Sequence, residues 1–259
     1  KGSKEEPRFI VMEYFGGRKS DKPIALVGKG LTFDTGGISI KPSAAMEDMK
    51  FDMCGGAAVI SAIVALARLK AKVNVVALVP STENMPGGAA IKPGDVLVAF
   101  NGKTVEVNNT DAEGRLILCD ALAYAEKTYE PSAIFDTATL TGACSVALGN
   151  VFAGFFSKNA KMVKLVDEAA KLSGERVWQL PLTDEYVEDM KGVYADLSNM
   201  AMGAKGGGAS HGAAFLSQFV NEKTPWVHFD IAGSAWATGN RYAYNPDKGA
   251  SGSIVRLFV

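Results

Sequence analysis

Asp34, Asp52, Asp111 and Glu113, with Lys29, Lys41 and Arg115, are the residues whose types and spacing could do chemistry together. They lie in three short segments. The first, Gly28-Lys29-Gly30-Leu31-Thr32-Phe33-Asp34-Thr35-Gly36-Gly37, crowds four glycines around one lysine and one aspartate. It lacks the Walker spacing and the GxGxxG fingerprint of nucleotide loops. A tight turn with a surface lysine and a capping aspartate is its plainer reading. The second runs from Lys41 to Asp52, which precedes a helix opening at Gly55-Gly56. An N-terminal helix cap explains Asp52 equally well, and a solvated loop charge explains Lys41. In the third, Asn108-Asn109-Thr110-Asp111-Ala112-Glu113-Gly114-Arg115-Leu116, an extended backbone would point Asp111, Glu113 and Arg115 to one side. Thr110-x-x-Glu113 before an apolar run also reads as a capping box.

Four carboxylates in one small space raise one another's pKa unless cations sit between them. Divalent ions of hard or borderline character, Mg²⁺, Mn²⁺ or Zn²⁺, suit oxygen donors. The only histidines are His211 and His228, which excludes a three-His or HExxH zinc site. His211, in a glycine-rich loop, and His228, in an apolar strand, read as structural. Cys54, Cys119 and Cys144 form neither a CxxC nor an even set, so they read as core residues of a protein in a reducing compartment.

Apolar, β-branched runs that alternate with helical patterns must position these segments. The expected strands are Phe9–Tyr14, Ile24–Val27, Val73–Val79, Ala133–Ala138, Trp226–Ile231 and Ser253–Val259. The expected helices are Gly55–Leu69, Arg115–Lys127, Ala160–Ser173 and His211–Asn221. Such alternation predicts an α/β fold, a mostly parallel central sheet with helices on both faces and the site at the strand ends. Long loops remain at Gly28–Lys50, Pro80–Asp95 and Met200–Ser210, a length that usually marks function.

The chain has 259 residues, 47% apolar and 21% charged, with a net charge of −1. No basic excess points to nucleic acid, and no basic cluster to anionic lipid. The uncharged stretch Thr137–Ser157 holds five Thr or Ser, an Asn and three Gly, and reads as buried strand and loop, not as a membrane span.

The motifs are specific. Asn109-Thr110-Asp111-Ala112-Glu113-Gly114-Arg115-Leu116 resembles the signature octapeptide of the leucyl aminopeptidase family of metallopeptidases. Val27–Gly37, Lys41, Met49–Met53, Glu83-Asn84-Met85-Pro86, Ala138-Thr139-Leu140-Thr141-Gly142 and Asp230-Ile231-Ala232-Gly233 fall in family order. The resemblance covers residues 1–259 as one catalytic domain, without the family's N-terminal domain. It implies two divalent metals per chain, Mn²⁺ or Zn²⁺, with Mg²⁺ or Co²⁺ as alternatives. By position, Asp34 and Glu113 match bridging ligands, Asp111 a ligand of one ion, and Lys29 (as neutral amine) and Asp52 ligands of the other. Lys41 matches the residue that polarises the scissile carbonyl, and Arg115 the holder of a bicarbonate acting as general base. Met49, Thr139 and Ala232–Ala235 match the pocket for the first side chain. Leu140 and Gly142 match backbone groups that grip the substrate. Ala235 stands where some members carry a larger apolar residue, which implies a wider pocket. Peptide substrates, a homo-hexamer, a cytoplasmic location, and no membrane or nucleic-acid partner complete the expectation. Its rivals are a nucleotide- or phosphate-binding protein using the Gly28–Gly37 loop, and a non-catalytic scaffold or DNA-binding member of the same fold.

Overall fold

A computed structural model describes residues 2–238 and 244–259. Its central sheet holds eight strands. These are β1 (Arg8–Phe15), β2 (Ile24–Gly28), β3 (Gly30–Asp34), β4 (Asn74–Asn84), β7 (Ala133–Ala138), β8 (Ala153–Phe156), β9 (Val177–Gln179) and β11 (Trp226–Asp230). They run in the order β1-β4-β2-β7-β11-β8-β9, with β3 added to the end of β4. The sheet is mixed. The four middle strands β4, β2, β7 and β11 are parallel, whereas β1 and β8 run antiparallel to β4 and β11. A small sheet of β5 (Val96–Val98), β6 (Thr104–Glu106) and β10 (Leu197–Ser198) flanks it, as does the pair β12 (Trp236–Thr238) and β13 (Lys248–Ala250).

Side-chain alternation along the middle strands feeds two layers of helices. Ala25 and Val27 of β2 and Val76 and Leu78 of β4 pack with helices α2 (Gly114–Tyr129) and α6 (Gly208–Ser217). Leu26, Val75, Ala77 and Val79 face the other way, onto α1 (Cys54–Arg68). Val227 and Phe229 of β11 join α4 (Ala160–Ser173) on that second face. Buried on both faces, the strands read as continuous apolar runs. The shorter α3 (Gly142–Leu148), α5 (Asp184–Glu188) and α7 (Val255–Phe258), with a 3-10 helix at Met46–Phe51, complete the set. The stretch from Thr137 to Ser157 is strand, helix, strand, not strand and loop. Met46–Arg68 is the one described helical segment long and apolar enough to cross a membrane. Its apolar character belongs to the core, since Val59, Ala62, Ile63 and Leu66 are buried against the sheet.

The expected strand Ser253–Val259 is instead the helix α7. Ile254, Leu257 and Phe258 fall at helical spacing and pack with residues of α1, α4 and β11. A short apolar run satisfies either period, and packing decides.

Candidate metal centre

The three acidic segments meet beyond the C-terminal ends of β2, β4, β7 and β11, where open α/β sheets place their sites. Two close approaches bring them there. A Cβ on Gly55 would lie 2.2 Å from the Thr137 carbonyl oxygen, so only glycine lets α1 press against β7. That contact carries Asp52, just ahead of the helix, to the end of β2. A Cβ on Gly114 would lie 2.7 Å from Lys29 Cε, so Gly114 leaves room for the lysine to cross the start of α2.

Lys29 sits in the break between β2 and β3 and is 3% exposed. Its Nζ lies 2.8 Å from Asp52 Oδ2 and 2.8 Å from Glu113 Oε1. Its directed hydrogen bond goes instead to the Thr139 carbonyl, at 2.9 Å. Neither carboxylate oxygen has a well-aligned hydrogen bond, and Glu113 Oε2 has no partner. Charge at close range, 2.8 Å to each acid, holds this lysine between them. Lys41 pairs with Asp34 Oδ2 at 2.8 Å and with Asp111. Asp34, Asp111 and Glu113 each turn an oxygen into a common space, all within 4.8 Å of one another.

The loops are stapled to hold this geometry. Thr110 Oγ1 donates to the Gly36 carbonyl at 2.7 Å and accepts from Ser39 N–H at 2.8 Å. Asn84 Nδ2 donates to Asp34 Oδ1 at 2.8 Å and to the Thr110 carbonyl at 3.0 Å. Thr110 therefore joins two loops and forms no capping box; Glu113 occupies the cap position of α2 without a capping hydrogen bond. Asp111 and Glu113 converge through a turn rather than an extended strand. Asp52 caps nothing: Thr139 Oγ1 donates to its Oδ1 at 2.6 Å.

Burial pushes the Asp52 carboxyl up to about 7; Lys29 opposes the shift and Glu113 and Asp34 add to it. Burial also raises Glu113 and Asp111, against the pull of Lys29 and Lys41 respectively. Burial by itself would lower the Lys29 amine, but Asp52, Glu113 and Asp34 outweigh it and hold the proton on. Burial lowers Arg115 to about 10, partly offset by Glu113 and Asp230, so its guanidinium stays charged at neutral pH.

The other predicted residues surround this centre. Arg115, 6% exposed, donates from Nη1 to the Asn199 carbonyl at 2.8 Å, and its Nε has no partner. Leu140 N–H donates to Asp230 Oδ1 at 3.2 Å, so it is already engaged, and Gly142 opens α3 beside it. Met49 lies in the 3-10 helix leading to Asp52. Ala232 N–H also donates to Asp230, at 3.1 Å. Ala235 is buried in an apolar cluster with Cys54 and Phe51.

Sequence reasoning attached no role to Asn84, Asp230 or Asn199. Asn84 and Asp230 lie inside the matched motifs, so their position was a signal; Asn199 lies outside them. His211 pairs through Nε2 with Asp189 at 2.9 Å, and His228 Nδ1 with Asp136 at 2.5 Å. Both are buried in the fold; His211 lies within α6, not in a loop, and His228 Nε2 has no partner. The three cysteines are buried and free.

Does this donor set suit a cation? A buried carboxylate oxygen without a partner, three acids converging on one space and a fourth across Lys29 leave more negative charge than two ammonium groups balance. Oxygen donors of this kind fit divalent ions. A phosphate loop fits poorly, because Gly28–Gly37 passes from strand to strand and presents no helix N-terminus.

Fold and site together define an α/β domain with a buried acidic centre suited to divalent cations. The profile of the cytosol aminopeptidase family's catalytic domain matches residues 1–259, and the chain belongs to that family. A probable cytosol aminopeptidase of Bdellovibrio bacteriovorus is 62% identical over 258 residues, 100% of this chain and 51% of that protein. Another, from Cenarchaeum symbiosum, is 52% identical over 258 residues, 99% of this chain and 52% of that protein. The chain thus spans about half the length of the curated relatives it matches. The bottromycin maturation enzyme BotP, in complex with Mn, aligns with a TM-score of 0.92 at 37% identity, over 99% of this chain and 55% of that one.

Proposed function

We propose that this chain is the catalytic part of a dinuclear metal-dependent aminopeptidase that hydrolyses the N-terminal peptide bond of peptides. The observation that carries the reading is the convergence of Asp34, Asp111 and Glu113 oxygens within 4.8 Å, with Lys29 and Asp52 at its edge, in a chain of this family. Asp34 and Glu113 would bridge two ions, Asp111 would complete one site, and Lys29 and Asp52 the other. Mn²⁺ is the first candidate, because BotP carries Mn and the donors suit it; Zn²⁺, Mg²⁺ and Co²⁺ suit the same donors. Two such ions, when bound, would acidify a water and polarise the scissile carbonyl.

The chain's own residues supply the rest. Lys29 would release its proton on coordinating, so a bound ion must overcome a proton that the surrounding acids favour. Lys41, on the open side of the centre, would turn from Asp34 and Asp111 to donate to the oxygen that becomes negative, a preorganised electrostatic contribution. Arg115, charged and with an unpartnered Nε, would hold an anionic base such as bicarbonate and so place the group that moves the proton. Thr139, Met49 and Ala232–Ala235 would border the first side chain, with Leu140 and Gly142 alongside the peptide backbone. Acidic residues around the bound amine would favour a free N-terminus and confine cleavage to the first bond.

A cytoplasmic location accords with the relatives' names and with three free thiols. A homo-hexamer is part of the same proposal; exposed Val193 and Tyr194 are apolar surface that assembly would cover, and light scattering tests it. The activity test is amino-acid release from aminoacyl amides with chelator and with added Mn²⁺. We expect release that chelation abolishes and Mn²⁺ restores. Full activity in exhaustively metal-free protein would overturn the reading.

A further inference from the structure

We propose that Asn199 is the positioning residue of the acidic centre, clamping the loop of Asp111 and Glu113 and the guanidinium of Arg115 at once. Asn199 stands at the end of β10 and is 0% exposed. A primary amide offers two donors and a carbonyl with two lone pairs, and here all four are used on one loop. Its Oδ1 accepts from Asn108 N–H at 2.8 Å and from Asn109 N–H at 3.3 Å. Its Nδ2 donates to the Asn109 carbonyl at 2.7 Å and to the Ala112 carbonyl at 3.3 Å. Its own carbonyl accepts from Arg115 Nη1 at 2.8 Å.

The contacts bracket the functional residues. Asn108 and Asn109 precede Asp111, and Ala112 lies between Asp111 and Glu113. Asn109 passes the constraint on, since its Oδ1 accepts from Asp111 N–H at 2.8 Å. The clamp is itself anchored. Asn199 N–H donates to the Glu106 carbonyl at 3.0 Å, continuing the parallel pairing of β10 with β6. Asn108 Nδ2 donates to Ser198 Oγ at 2.9 Å. The small sheet thus acts as a bracket that holds the acidic turn against the large one.

This geometry answers an electrostatic problem. Asp111 and Glu113 lie close to each other and to Asp34, and their repulsion would open an unsupported turn. Four hydrogen bonds from one buried amide oppose that opening without adding charge. An aspartate of the same shape could still accept from Asn108 and Asn109, but would set a carboxylate oxygen against two carbonyls.

The inference rests on the reading that this centre binds divalent cations, and Mn²⁺ alone is the probe. Calorimetric titration of Mn²⁺ into the 259-residue chain is compared for the parent, Asn199→Ala and Asn199→Asp, with thermal melting of each sample. We expect both variants to fold and to bind Mn²⁺ about 10–100-fold more weakly, the usual cost of losing a partner that orients ligands. At saturating Mn²⁺, kcat should fall less than Mn²⁺ affinity does, because the main-chain carbonyl that accepts from Arg115 survives both substitutions. If Asn199→Ala does not fold, the isosteric Asn199→Asp carries the measurement. Variants that melt lower but bind Mn²⁺ like the parent would make Asn199 merely structural and overturn the proposal alone. A parent that binds no Mn²⁺ would overturn the cation reading and this proposal with it.

Discussion

Two buried polar clusters occupy the same sheet and obey opposite rules. Deep in the sheet, Asp136 of β7 faces its register partner His228 of β11. Its Oδ1 takes His228 Nδ1 at 2.5 Å and its Oδ2 takes Trp226 Nε1 at 2.6 Å. Each carboxylate oxygen has a donor, and Trp226 and Phe156 stack near the imidazole. At the strand ends, four carboxylates share two ammonium groups, and Glu113 Oε2 has no donor. A buried carboxylate whose oxygens are all matched stabilises a fold. A surplus of buried carboxylate costs stability and persists where a ligand uses it. The comparison teaches that burial and acidity alone do not mark a site; carboxylate oxygens in excess of their donors do, since His228 Nε2 is also buried without a partner.

Exchanging Glu113 for its amide should break the comparison most sharply. Glu113→Gln and Asp111→Asn keep shape and remove one surplus charge each. We expect peptidase activity to fall more than about 100-fold, beyond the cost of an outer partner, while the melting temperature holds or rises as repulsion is relieved. Kinetics and melting on the same preparations decide. A small loss of stability with turnover intact would make both residues structural members of the turn and overturn their role as ligands.

Arg115→Ala sharpens the same contrast from within the centre. A guanidinium has no lone pair to offer a cation, so elemental analysis should still find about two ions per chain. Turnover should nonetheless drop about 10²–10⁴-fold, the range for one acid–base contribution. Loss of metal from this variant would contradict its assignment as a holder of the base.

These residues were legible in the sequence, but their geometry was not. Asp111 and Glu113 were expected to share a side by strand alternation; they converge through a turn stapled by Thr110 and held by Asn199, contacts that cross 70 or more positions of sequence. Local patterns see no such contacts. Ala133–Ala138 and Ala160–Ser173 were readable to the residue because punctuation bounds them: Pro131 before one, the Asn159 cap and Gly174 around the other. The strand β3 was hidden in a glycine-rich segment whose alternation, Leu31 and Phe33 about Thr32, is too short to stand out, and α7 passed for a strand because its apolar run is short. The sheet is mixed but mostly parallel, as expected in part; nothing in the runs of β1 or β8 reports that these two run antiparallel to their neighbours β4 and β11.

Removing the donor-matched acid should act in the opposite sense to Glu113→Gln. Asp136→Asn leaves His228 and Trp226 without a charged acceptor. Losing one partner of a buried pair costs about 3–5 kcal/mol, and the low end applies because His228 can shed its proton. Denaturant unfolding should show this loss, with turnover per folded molecule unchanged. A large fall in turnover without loss of stability would erase the distinction between the clusters.

The smallest expected effect is in the pH dependence of that stability. Burial by itself would lower the His228 pKa, yet the Asp136 carboxylate raises it above the ordinary histidine value; Asp230 adds to the rise and Arg115 opposes it. A group whose folded pKa is raised binds its proton more tightly in the folded chain. Its stabilisation is therefore complete below the unfolded value, about 6.5, and is lost as pH climbs through the folded value. Each unit of separation is worth about 1.4 kcal/mol. Unfolding free energy should thus decline from pH 6.5 upward through a component that Asp136→Asn abolishes, and cation-free protein should show it as clearly as loaded protein. The acidic centre runs the other way in its loaded form, since protons compete with the cation and its contribution should grow as pH rises. Chelator reverses the centre's slope, since Asp52, raised to about 7, then loses its own stabilisation as pH rises; the part of the decline that Asp136→Asn abolishes is the part that belongs to His228. A pH-independent stability in the chelated parent would show that Asp136 does not hold His228 as an ion pair.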